Sequence, residues 1–158
     1  MRLPGEIIQG ILARGALVLL RLYLGIVFML SALPKFERHP ASDLAGFLQE
    51  RHLDTAHAFY RPFLESVLLP HSAVIASVVG WTEALVGLTL IAGLATRFSA
   101  GLAMVLALNY MFAKGEWSAW SHDAAFLVIA LALLIGAAGR TLGIDAMLAR
   151  RWPWSPLW

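Results

Sequence analysis

Apolar residues gather in four long runs, at residues 16–33, 73–95, 98–113 and 124–139, and most charged residues fall between them. A hydrocarbon layer of about 30 Å is crossed by roughly 20 helical residues, so each run predicts a spanning helix. The last two runs are short, and Trp117, Trp120 and the C-terminal tryptophans are expected at headgroup level. The predicted fold is all-α: a polytopic membrane four-helix bundle, one domain over residues 1–158. Four crossings bring the termini to one side. There Arg14, Arg97 and Arg140 hug the membrane, and the positive-inside bias places both termini in the cytoplasm. GLATRFSAG is a tight turn that makes the second and third spans antiparallel neighbours. The long outer loop, residues 34–72, spaces Leu44, Phe47, Leu48 and Leu53 on one helical face behind Ser42 or Asp43 as a cap. This predicts a short amphipathic helix lying on the membrane or the bundle.

Composition strengthens the membrane reading. The chain is 59% hydrophobic and 14% charged, with a mean hydropathy of +0.73, more apolar than one soluble core requires. A net charge of +2 and a pI near 9.4 do not imply nucleic acid as a partner, because the basic residues stand singly beside apolar runs. Without cysteine, the chain offers no disulfide, thiol relay or thiolate-held cluster. His39, His52, His57, His71 and His122 all fall on the outer side, none inside a span where it could ligate a haem, and no metal site is expected. Glu6 and Arg21 make the N-terminal stretch a retained anchor rather than a cleaved leader.

Glu83 is the only acid between Ala73 and Arg97. Its place in the run puts it about 15 Å below the surface, near mid-bilayer. An ionised group there costs about 3 kcal/mol on insertion scales, so it is expected to face the interior and to have a partner. Ala76, Gly80, Glu83, Ala84 and Gly87 form a small-residue stripe, and Arg21, Gly25, Phe28, Ala32 and Lys35 share a face of the first span. Arg21 is the obvious counter-ion, but Cα–Cβ bonds lean toward the helix N-terminus, so Arg21 and Glu83 lean apart. Snorkelling of Arg21 to cytoplasmic headgroups is the rival. Asn109, on the third span, leans toward Glu83 and is expected to hydrogen-bond it. Trp81 and Tyr110 stand beside these polar residues and could stack on a flat ring.

At the outer rim, Lys35 reads as an interfacial anchor or a lipid-phosphate ligand. His122 and Asp123 open the fourth span, either as a proton-donating pair or with Asp123 as a first-turn acid matched to the helix dipole. Two readings of the buried polar group stand open: a latch that fixes helix order, or a polar pocket for a proton-coupled ligand.

An arginine in RLYLGIVFMLSALPKF, the acid in GWTEALVGLTLIAGLATRFSAG and the closing GAAGRTLGID together resemble the DoxX family of small four-helix membrane proteins. The resemblance implies a four-helix bundle related to the small subunit of thiosulfate:quinone oxidoreductase and to a membrane member of a redox-associated complex with soluble partners. By position, Arg21, Lys35, Glu83, Arg97 and Arg140 correspond to the family's recurring polar positions, and Gly139 and Asp145 belong to its closing motif.

The expected protein is a bacterial inner (cytoplasmic) membrane subunit that binds quinone or another lipophilic redox partner, with no covalently bound cofactor. Glu83 would accept a proton, Asn109 would orient, and Arg21 would stabilise a reduced, anionic quinone. Membrane lipids and either other subunits or a second copy are the expected partners. One rival is a structural anchor that docks a soluble protein through the outer loop, and another is a small proton-linked transporter, which four spans without an inverted repeat suit less well.

Overall fold

The structure is a computed structural model that describes residues 4–37, 44–46, 54–115 and 122–155, and among these residues it is helical with no strand. Helix α1 (Pro4–Glu37) opens on a proline, whose missing N–H would be unpaired at a helix start in any case. It begins well ahead of the first apolar run. Ile8, Ile11 and Leu12 on this extension are exposed, and nothing lies within 4 Å of where a Cβ would stand at Gly10 or Gly15, so the first turns project beyond the packed part.

A short helix, α2 (Arg61–Phe63), runs into a π-helical turn (Leu64–Leu68), an element the hydrophobic pattern did not predict. Leu64, Leu68 and Ala56 form a small core of their own, covered by Leu44, Tyr60, Ile75 and Ala113. Of the expected amphipathic helix, residues 44–46 are helical, while Ser42, Asp43, Phe47, Leu48 and Leu53 lie outside the described residues, as do His39, His52, Trp117 and Trp120.

Helices α3 (Ser72–Ala92), α4 (Thr96–Lys114) and α5 (His122–Gly136) stand where the remaining apolar runs predict. A 3-10 turn (Ala138–Arg140) leads to α6 (Ile144–Arg151). α1 and α3 are each long and apolar enough to cross a membrane; α5 is apolar but shorter. α1 packs on α3 and α5, and α4 packs on the same two, closing a ring around Leu24, Phe28, Val86, Leu90, Ala103, Leu106, Ala130 and Leu133. The outside of that ring is Leu19, Ile26, Leu30, Val78, Leu85, Leu88, Val105, Val128 and Ile135, all exposed. Charged groups inside and aliphatic groups outside is the arrangement that lipid, not water, stabilises.

The small-residue stripe is the α1–α3 contact: Ala76, Gly80, Glu83 and Gly87 are buried, as are Arg21, Gly25, Phe28 and Ala32 opposite them. A Cβ at Gly87 would lie 2.7 Å from the backbone nitrogen of Met29 and 2.9 Å from the carbonyl oxygen of Gly25. Backbone cannot retreat there as a side chain could. Gly87→Val is therefore expected to part the two helices and to cost about 1–3 kcal/mol, read as a lower unfolding midpoint in detergent, with Gly87→Ala between the variant and the parent.

α3 ends in a left-handed residue, Gly93 (φ 65°), whose N–H bonds the Leu90 carbonyl at 3.2 Å while Leu94 bonds the Thr89 carbonyl at 2.9 Å. This pairing satisfies two terminal carbonyls and stops the helix short of the end of the second apolar run. Among the described residues, three with a side chain also have positive φ: Ala95 (46°), Ala137 (47°) and Leu142 (50°). Each costs of order 1 kcal/mol, and all three lie at the end of the ring that carries the termini.

Candidate functional site

At the end of the ring that carries the long loop, Glu83 is buried at 1% exposure with both oxygens engaged. Its Oε2 is ion-paired with the Lys35 ammonium, and its Oε1 accepts a hydrogen bond from the Tyr110 hydroxyl. The convergence follows from helix polarity. α1 runs toward the loop end, so Lys35 leans back into the ring; α3 runs the other way, so Glu83 leans out to meet it. Gly80 makes room for the lysine stem, since a Cβ there would lie 3.3 Å from Lys35 Cβ. Lys35 also donates to the Ser31 carbonyl at 3.0 Å.

Tyr110 extends the arrangement across α4. The Lys114 ammonium lies 5.1 Å from the Tyr110 ring centroid and bonds Asp123 Oδ2 at 2.7 Å. Asp123 stands in the first turn of α5 and is buried, so it serves as that lysine's acid as well as a first-turn acid. Lys35, Glu83, Tyr110, Lys114 and Asp123 thus form a chain with a member on each of the four long helices. The carboxylates sit inside, whereas the lysine side chains are partly exposed, Lys35 at 31%.

A second centre closes the terminal end. Buried Arg21 donates from Nη1 to the carbonyls of Ala138 (3.2 Å) and Thr141 (3.4 Å), and from Nη2 to Leu142 (2.9 Å). Asp145, fully buried, accepts from the backbone N–H of Ala95 at 2.6 Å and of Thr96 at 2.8 Å, while its own N–H donates to the Gly93 carbonyl at 2.8 Å. A carboxylate on the first N–H groups of α4 satisfies donors that no helical partner reaches, and this holds Ala95 in its left-handed conformation. Gly139 has no room for a side chain, since a Cβ would fall 2.0 Å from Asp145 Oδ2 and 2.2 Å from Thr96 Oγ1. Arg97 donates from Nε to the Leu134 carbonyl at 3.1 Å, at the end of α5.

These contacts correct several expectations. Arg21 neither pairs with Glu83 nor snorkels to headgroups: its lean away from Glu83 carries it onto carbonyls of the segment after α5. Asn109 does not bond Glu83. It is exposed, and its Oδ1 accepts from the Tyr60 hydroxyl, which burial pushes up from the ordinary tyrosine value, keeping it a donor. Neighbouring residues on a helix point about 100° apart, so Tyr110 and Asn109 could not both face the carboxylate. Lys35 is more than an anchor, being the counter-ion itself. Trp81 faces outward against the edge of Phe36, with centroids 4.8 Å apart, and His122 and Arg140 are exposed. A groove of about 550 Å³ lies on the outer side of α3, lined by Ala73, Val74, Ser77, Val78, Trp81 and Thr82, with Glu83 not on its wall.

Three participants were not singled out from the sequence: Lys114, Tyr60 and the backbone acceptors of Arg21. The lean that separates Arg21 from Glu83 points Lys35 at it, so that signal was present in the helix directions.

A family model described as DoxX matches residues 16–115, from α1 through α4, which includes Arg21, Lys35, Glu83, Arg97, Asn109 and Tyr110. No curated protein and no solved structure matches the chain.

Proposed function

The chain belongs to the DoxX family, and on that premise we propose that it is a multi-pass subunit of the bacterial inner membrane, a four-helix bundle with both termini cytoplasmic, that receives quinone or another lipophilic redox partner for a redox-associated assembly. The observation that carries this reading is the buried carboxylate held between a phenol and a partly exposed ammonium. Ionisable groups inside a membrane are costly and mark functional sites by default. Bound quinone supplies two-electron, two-proton chemistry, and the electrons come from the assembly. The residues present fit such a ring: Phe36 and Trp81 offer aromatic cover on the surface next to Lys35, and the apolar outside of α3 suits an isoprenoid tail. Within the chain, Lys35 carries a proton at Nζ and Tyr110 at its hydroxyl, and Glu83 takes one at a carboxylate oxygen.

Glu83→Gln keeps the size of the side chain and removes its charge. In nanodiscs, the variant is expected to bind a short-tailed quinone analogue at least tenfold more weakly than the parent. Equal affinities, with the variant still folded, would reject the reading.

A second reading, the structural anchor for a soluble partner, rests on one fact: both Glu83 oxygens are already satisfied inside the ring, as a latch requires. Purification from native membranes separates the two. A stoichiometric soluble protein without lipophilic ligand favours the anchor.

A further inference from the structure

The segment after α5 holds Arg140, Arg150 and Arg151, all exposed, and a single acid, Asp145. That acid is buried on the N–H groups of Ala95 and Thr96, so every charge the segment presents outward is positive. The spacing of α6 explains the separation. Asp145 and Ala149 turn inward, while Ile144, Met147, Arg150 and Arg151 share the outward half of the helix and are exposed. Large apolar groups among them are open to solvent among the described residues: Leu142 is 83% exposed, Met147 72% and Trp154 85%.

Position supplies the rest. α6 is tied by the Asp145 N–H to the carbonyl of Gly93, the residue that ends α3, a helix long and apolar enough to cross a membrane. Leu142 and Ile144 therefore sit beside the end of α3; on the membrane reading proposed above, that is the level at which tryptophan is favoured and cationic side chains meet phosphates. A surface of apolar and cationic groups at that level is complementary in charge to an anionic headgroup layer.

We infer that the outward face of Leu142–Trp154 is a docking surface for anionic phospholipids of the adjacent leaflet, with Arg140, Arg150 and Arg151 on the phosphates and Leu142, Met147 and Trp154 in the headgroup boundary. The surface rests on the membrane reading above and does not depend on the Glu83 site or on quinone.

The full-length protein in detergent, titrated with phosphatidylglycerol or with phosphatidylcholine of the same acyl chains and followed by native mass spectrometry, tests the assignment. The parent is expected to favour phosphatidylglycerol, and R150Q/R151Q to bind it about thirtyfold more weakly, at roughly fivefold per arginine. Millimolar inorganic phosphate should not displace the lipid. In nanodiscs containing phosphatidylglycerol, Met147 should be protected from hydroxyl-radical labelling. Equal affinity of the parent for the two lipids, an undiminished preference in R150Q/R151Q, displacement by free phosphate, or full labelling of Met147 would each overturn it. Protection of Met147 that appears only when a protein co-purifies would also overturn it, in favour of a protein partner. Both arginines are exposed, so the variant is expected to fold as the parent does.

Discussion

Asp145→Ala is expected to destabilise the folded chain by about 3–5 kcal/mol, the range for removing one partner of a buried charge arrangement. Two losses coincide. The N–H groups of Ala95 and Thr96 are left without the carboxylate that receives them, and the left-handed conformation at Ala95 loses what holds it. Unfolding followed by tryptophan fluorescence in detergent should show the midpoint fall. Asp145→Asn is expected to recover part of the loss, because its amide oxygen accepts a backbone hydrogen bond but provides no charge. A midpoint equal to the parent's in the alanine variant would show that the terminal centre does not stabilise the fold.

Lys35→Met should cost more than Glu83→Met, although the two residues form one pair. The difference follows from exposure: Lys35 is 31% exposed and its stem can swing the ammonium to water, whereas Glu83 at 1% has no such exit. Removing the lysine strands a carboxylate that keeps only the Tyr110 hydroxyl, at a cost of about 3 kcal/mol or more. Removing the glutamate leaves a cation that relocates, at a cost of about 1–2 kcal/mol for the lost bonds. The double variant replaces both charges by apolar groups and is expected to regain much of the parent's stability, so the double-mutant cycle should show strong coupling. Additive effects, or a Glu83→Met variant worse than Lys35→Met, would contradict the ion pair as the stabilising element.

The long helices were legible because an apolar run has no other way to satisfy its backbone in lipid, and the α1–α3 contact because small residues recur at helical spacing. The burial of Glu83 followed from its depth. Depth and the lean along the helix axis do not by themselves choose the partner. Asn109 and Tyr110 are equally deep, and only the direction around the helix axis separates the residue that meets Glu83 from the one that meets Tyr60. The acceptors of Arg21 are carbonyls of Ala138, Thr141 and Leu142, which every residue type carries and no composition reveals. The glycine in GAAGRTLGID marked a special place without stating why. The reason is contact with Asp145 and Thr96, residues on two other elements. The π turn and the small core around Leu64 lack a run long enough to produce a periodic signal.

Lys35 and Arg21, both on α1, meet their partners at very different moments of synthesis. Lys35 waits only until α3 emerges with Glu83, but the carbonyls that receive Arg21 lie 117 or more positions after it, beyond α5. A chain interrupted before residue 138 would hold the Arg21 guanidinium in its first helix without the carbonyls of Ala138, Thr141 and Leu142 that receive it.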